Sequence, residues 1–146
     1  MASKILLFPP KTMIDNVLPI NIVRKINQDL AISGQITPDQ LQQLADDGYK
    51  SVLNLCFSDE PSFWQHEQEK SQLLGLSYIN LPTKIANLTH PAANHIFQVI
   101  RELPKPLLIH CDNSKRSAAI VLLYISTKQG IAFEQVWQKT INLDLL

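Results

Sequence analysis

The chain has little glycine, little cysteine and no surplus of charge of either sign. Four glycines in 146 residues leave no Gly-rich nucleotide-binding loop. Two cysteines, Cys56 and Cys111, cannot build the disulfide framework of a small secreted domain. Thirteen acidic residues balance thirteen basic ones, so no global field points to nucleic acid or to an anionic membrane surface. Any anion site must therefore be local. No apolar run approaches the ~20 residues of a membrane span. The opening MASKILLFPPK meets its prolines too early for a signal-peptide core. A reducing, cytoplasmic setting is expected, with neither nucleic acid nor membrane as partner. The four histidines, His66, His90, His95 and His110, do not recur at ligand spacing with cysteine or carboxylate partners. No metal and no cofactor is expected.

What is present is enough apolar residue, 45% of the chain, to bury one core, so residues 1–146 read as a single domain. Its first 28 residues, broken by Pro9, Pro10 and Pro19, read as an irregular segment packing on the rest. From residue 29 strand-like and helix-like stretches alternate. DLAIS (29–33), KSVLNLCF (50–57), LSYINLP (76–82) and PKPLLIHC (104–111) read as strands. Helices are predicted over 37–48, where Thr37 is the N-cap candidate and Pro38 the first helical residue, and over 63–75. Further helices are expected over 89–103, capped by Thr89, over 116–130, and in the closing AFEQVWQKT. The stretch 116–130 is apolar almost all round, which places it at the centre of the domain. Strands separated by helices argue for an α/β fold, a mostly parallel central sheet flanked by helices. Cys56, in mid-strand, reads as a core thiol. Trp64, Trp137, Phe97 and Phe133 sit at spacings suited to core or groove packing.

In sheets of this type, ligands bind beyond the carboxyl ends of the strands, and Cys111 falls there. LLIHCDNSKRSAAIVLLY (107–124) runs a strand into a cysteine, a polar turn, Arg116 and Ser117, and an apolar helix. A nucleophilic thiolate needs its pKa drawn below about 8.5. A helix start supplies free amides and a positive dipole end for that purpose. The amides of Asn113, Ser114, Lys115, Arg116 and Ser117 can cradle an oxyanion, and Arg116 offers a bidentate fork. Ser117 can hydrogen-bond the thiolate or assist its departure. Cys111, Arg116 and Ser117 are the candidate catalytic residues. Asp112, Asn113, Ser114, Lys115 and His110 would line the substrate, with His110 shaping the loop rather than serving as a base.

HCDNSKRS resembles the nucleophile loop of cysteine-dependent phosphatases. ISGQITPDQLQQLADDGYKSVLNLCFSDE resembles the opening of the phosphatase-like domain of beta-lactamase-hydrolase-like proteins, and the likeness continues through LSYINLP, PLLIHC and TINLDL. It implies a fold like the compact dual-specificity phosphatases. It also implies hydrolysis of a phosphorylated protein or small phosphoester through a cysteinyl-phosphate intermediate.

Three departures from the phosphatase pattern bear on the chemistry. DNSK is one residue shorter than the turn of ordinary tyrosine and dual-specificity phosphatases, a length shared with rhodanese-type sulfurtransferases, so a persulfide on Cys111 is an alternative. The related family carries Arg and Gly where this chain has Asp112 and Ser114. Ser114 must manage the turn at a steric cost. Asp112 opposes a bound anion unless it points outward, the favoured reading, or donates a proton. Finally, no Asp lies between Glu60 and Cys111 to act as the upstream general acid. The matching loop PTKIANLTHP offers Lys84, Asn87 and His90, of which His90 could donate a proton near neutral pH. Asp59 and Glu60 follow the preceding strand and read first as a solvated turn. Asp59, His90 and Asp112 are the candidate acids. A weakly active oxyanion-binding or interaction module remains the third alternative.

Overall fold

The computed structural model describes residues 22–142, with side chains to Lys139. Residues 1–21 of the expected irregular segment lie outside the described residues. Five strands form one sheet in the order β1-β2-β5-β3-β4. They are β1 (Arg24–Lys25), β2 (Leu30–Ser33), β3 (Ser51–Asn54), β4 (Ser77–Asn80) and β5 (Leu107–His110). The helices are α1 (Pro38–Asp46), α2 (Glu67–Leu73), α3 (His90–Glu102), α4 (Lys115–Lys128) and α5 (Phe133–Asn142). A short 3₁₀ turn at Ile85–Asn87 interrupts the loop after β4.

Pairing is parallel between β2 and β5, β5 and β3, and β3 and β4. Strand β5 is the centre: Ile109 stands beside Ile32 on one side and Leu53 on the other. The sheet is mixed, because β1 pairs antiparallel with β2, setting Arg24 against Ile32. This corrects the expectation that the chain up to residue 28 is irregular throughout. A two-residue charged strand has no periodicity to read, and charged residues suit an edge that must not pair further.

Alternation along each strand sends side chains to opposite faces. Leu30, Ile32, Leu53, Leu55, Leu107 and Ile109 pack with residues of α3, α4 and α5. Ala31, Val52 and Leu108 face the other way, onto Leu41 and Leu44 of α1 and Leu76. Helix α4 is buried from Ser117 to Ser126, as its uniformly apolar sequence predicts. Thr37 and Gln40 close a reciprocal capping box at the start of α1. At α3 the Thr89 hydroxyl accepts from the Ala92 amide.

Helix α2 begins at Glu67, four residues later than the predicted start. Phe63 packs with the cluster on one sheet face and Trp64 with the cluster on the other. The chain there spans the sheet edge in turns, and only beyond it does the helix form. Replacing the fully buried Ile109 by Ala should cost about 2–5 kcal/mol. Urea denaturation would read this as a lower midpoint with an unchanged slope.

Candidate active site

Because β2, β3 and β5 run parallel, their carboxyl ends open on one edge, and the central strand delivers Cys111 to the middle of it. The Cys111 amide donates to Ser33 O of β2 at 3.2 Å. Its side chain is buried, with the thiol 3.7 Å from Ser117 Oγ as donor. The buried Ser117 hydroxyl lies 3.2 Å from Ser33 O and 3.0 Å from Ser114 O. Between them the chain turns sharply at Ser114, with φ of 69° in the left-handed region. The steric cost expected of Ser114 is thus present, and α4 starts directly after it.

Arg116 is the most heavily bonded side chain here. Its Nη1 and Nη2 donate to the two carboxylate oxygens of Glu60 at 2.9 and 2.6 Å. Nη2 also donates to Asp112 Oδ1 at 3.0 Å, and Nη1 lies 3.3 Å from both Leu55 O and Thr83 O. The hydrogen bond from Arg116 is the largest influence on Glu60 and holds its carboxyl below the usual range. In return Glu60, with Asp112, keeps the guanidinium charged. Glu60 is therefore no solvated turn. Its carboxylate also accepts from the Phe57 amide at 2.7 Å, which folds the loop so that the side chain faces Arg116.

Asp112 does not point simply outward. Its Oδ1 accepts from the Asn113 amide at 2.8 Å as well as from Arg116, in an i,i+4 ion pair. The Asn113 side-chain oxygen in turn accepts from the Lys115 amide at 3.1 Å. The other acid candidates are not gathered at the loop's ion pairs. Asp59 is exposed, and the His90 ring stacks on Phe133 of α5, centroids 4.8 Å apart. Lys84 and Asn87 are exposed as well. Cys56 lies 3.8 Å from Arg116 Nη2. Burial, followed by the Glu60 charge, pushes its thiol up to about 12, in keeping with a core thiol.

Beneath the loop lies a network that sequence reasoning missed. His110 and Glu67 are both fully buried, with Nε2 and Oε2 2.5 Å apart. The other ring nitrogen faces the Cys111 carbonyl at 3.4 Å. Gln35 Nε2 donates to the second Glu67 oxygen at 2.8 Å, and the Gln35 amide donates to Asp112 O at 3.1 Å. Two successive carbonyls of the loop are thus gripped from below. Nothing in EQEK marks Glu67 as buried; only the approach of α2 to the sheet brings it under His110. Among the described residues no cluster of His, Cys, Asp and Glu could hold a metal ion. No described helix is long and apolar enough to cross a membrane.

No family model matches the chain. In sequence it is similar to the beta-lactamase hydrolase-like protein of Xylella fastidiosa, 30% identical over 101 residues. That match covers 67% of this chain but 23% of the relative, so the chain spans about a quarter of the curated relative's length. In structure it superposes on a candidate phosphatase (DUF442) of Shewanella putrefaciens with a TM-score of 0.70 at 21% identity, covering 88% of this chain and 94% of that one. The chain has the cysteine-dependent phosphatase fold. The same phosphatase fold is found in TpbA of P. aeruginosa, with a TM-score of 0.65 at 16% identity, covering 85% and 74% of the two chains. It is found again in the core catalytic domain of the PP-IP phosphatase SIW14 of S. cerevisiae, with a TM-score of 0.64 at 17% identity over 85% and 76%.

Two outcomes are expected from this geometry. Glycine relieves the left-handed strain at Ser114, so Ser114→Gly should leave stability unchanged or raise it by up to ~1 kcal/mol in urea denaturation. Glu60 has a folded pKa below its ordinary value near 4.5, so its ion pair stabilises the protein above that pH. That stabilisation is lost as pH falls through the folded pKa. Glu60→Gln should therefore flatten the acid limb of a stability–pH profile followed by thermal melting.

Proposed function

We propose that residues 1–146 act as one phosphatase domain that hydrolyses phosphate monoesters through a cysteinyl-phosphate intermediate in a reducing compartment. The observation that carries this is the placing of Cys111, Ser117 and Arg116 on one strand–turn–helix at the carboxyl edge of a phosphatase-fold sheet. The Cys111 thiolate attacks phosphorus as the bond from phosphorus to the ester oxygen breaks, and the leaving oxygen takes up a proton. Water then attacks phosphorus and gives up a proton to solvent, the S–P bond breaks, and the Ser117 hydroxyl donates a hydrogen bond to the returning thiolate. Arg116 and the loop amides bind the phosphoryl oxygens and the charge that moves onto them. His110, held by Glu67, keeps the Cys111 carbonyl turned away from the cradle.

Of the three candidate acids, only Asp112 is in contact with this machinery, and its carboxylate is committed to Arg116. Leaving-group protonation is then weak, which costs about 10²–10⁴-fold with poor leaving groups. Activated aryl phosphates are accordingly the best first substrates. TpbA has been crystallised with phosphotyrosine, which makes phosphotyrosine peptides the next. The occupation of Arg116 by two carboxylates favours a second reading, an oxyanion-binding module of low turnover.

The test is para-nitrophenyl phosphate hydrolysis by the full chain, beside Cys111→Ser and Arg116→Ala. Loss of turnover in both variants is expected. Absence of hydrolysis, or equal rates in Cys111→Ser and the unaltered protein, would overturn the mechanism. Vanadate binding without turnover would select the binding module, and cyanide-dependent thiosulfate turnover the persulfide chemistry.

A further inference from the structure

Resting on the phosphatase reading, the geometry points to Asp112 as a built-in competitor for the oxyanion, its carboxylate taking donors that a phosphoryl oxygen would use. One oxygen, Oδ1, accepts at once from a loop amide, Asn113 N at 2.8 Å, and from Arg116 Nη2 at 3.0 Å. A cradle amide together with the guanidinium is the donor pair that the proposed chemistry assigns to a phosphoryl oxygen. The next amide but one, that of Lys115, is taken by Asn113 Oδ1. The loop is thus partly filled by its own side-chain oxygens.

The two carboxylates on Arg116 differ in kind. Glu60 binds with both oxygens from a separate loop, and its side chain is 19% exposed, against 43% for Asp112. Glu60 is held from a second direction by the Phe57 amide. It stays and orients the guanidinium. Asp112 has one bonded oxygen and an open path to solvent, so it is the group that moves when an anion arrives.

Entry of a phosphoryl group breaks the Asp112 contacts and sets like charges side by side, so the carboxylate must swing outward. A ligand succeeds only if it binds Arg116 and the amides better than a carboxylate does.

Calorimetric titration with orthovanadate tests this on the full chain and on Asp112→Asn, Asp112→Ala, Asp112→Glu and Arg116→Ala. Removing an exposed pair of this kind should tighten vanadate binding in the Asn and Ala variants by roughly two- to fivefold. The Glu variant, which keeps the charge, should stay close to the unaltered protein, and Arg116→Ala should lose binding. Equal or weaker binding in either Asp112→Asn or Asp112→Ala, with Arg116-dependent binding in the unaltered protein, overturns the competitor role and leaves the phosphatase reading standing. Absence of vanadate binding in the unaltered protein and in every Asp112 variant removes the phosphatase reading, and this inference with it.

Discussion

One guanidinium ties the functional edge of the sheet together. Arg116 is the second residue of α4, yet its partners come from three strand exits: Leu55 and Glu60 after β3, Thr83 after β4, and Asp112 after β5. The parallel strands end on one edge, and beyond their last ladder bonds the guanidinium links the loops that leave them. A planar group with five N–H donors can serve several acceptors at fixed angles, which an ammonium cannot. Arg116 is only partly exposed, so its charge must be matched, and Glu60 does this with both oxygens. Under the proposed function, the side chain that organises these loops is also the one that binds the anion.

A second pairing works from below. Burying Glu67 and His110 completely is costly unless their polar atoms are satisfied. Gln35 and the Cys111 carbonyl supply the outer partners. The result is a hydrogen-bonded floor reaching from the loop after β2 through α2 to β5. It bonds to the loop at the carbonyls of residues 111 and 112, which leaves the following peptide groups free to turn the other way. Cys56 shows how much position decides: it is as buried as Cys111 and borders the same arginine. With burial and the Glu60 carboxylate as its main influences, it is kept as a thiol.

Much of this architecture is written in local pattern. Alternating strands and helices, Thr37 before Pro38, Thr89 before α3 and the apolar run of α4 each carry their meaning within a few residues. So does the run from Cys111 to Ser117, where a strand end, a short turn and a helix start are contiguous. Features that depend on distant partners are not visible in that way. The small charged strand β1 exists only because β2 offers an open edge. Glu60 looks like any residue of a polar turn until α4 brings Arg116 opposite it. Glu67 sits in a charged stretch whose burial follows from the angle at which α2 meets the sheet. Asp112 was legible as a carboxylate beside an expected anion site, but its turn toward Arg116 depends on how the loop before α4 folds back on the residue four positions on.

Ser114 carries a last consequence. An isolated chain seldom takes up the left-handed conformation at serine, so the turn after Cys111 has no local preference for the shape it holds. That shape is imposed by what surrounds it: β5 paired on both sides, α4 docked on the sheet, and Ser114 O accepting from the Ala118 amide. The thiol, the amides and the guanidinium therefore come into register only where these elements are packed together. A partly folded molecule has the same residues in the same order and none of the arrangement.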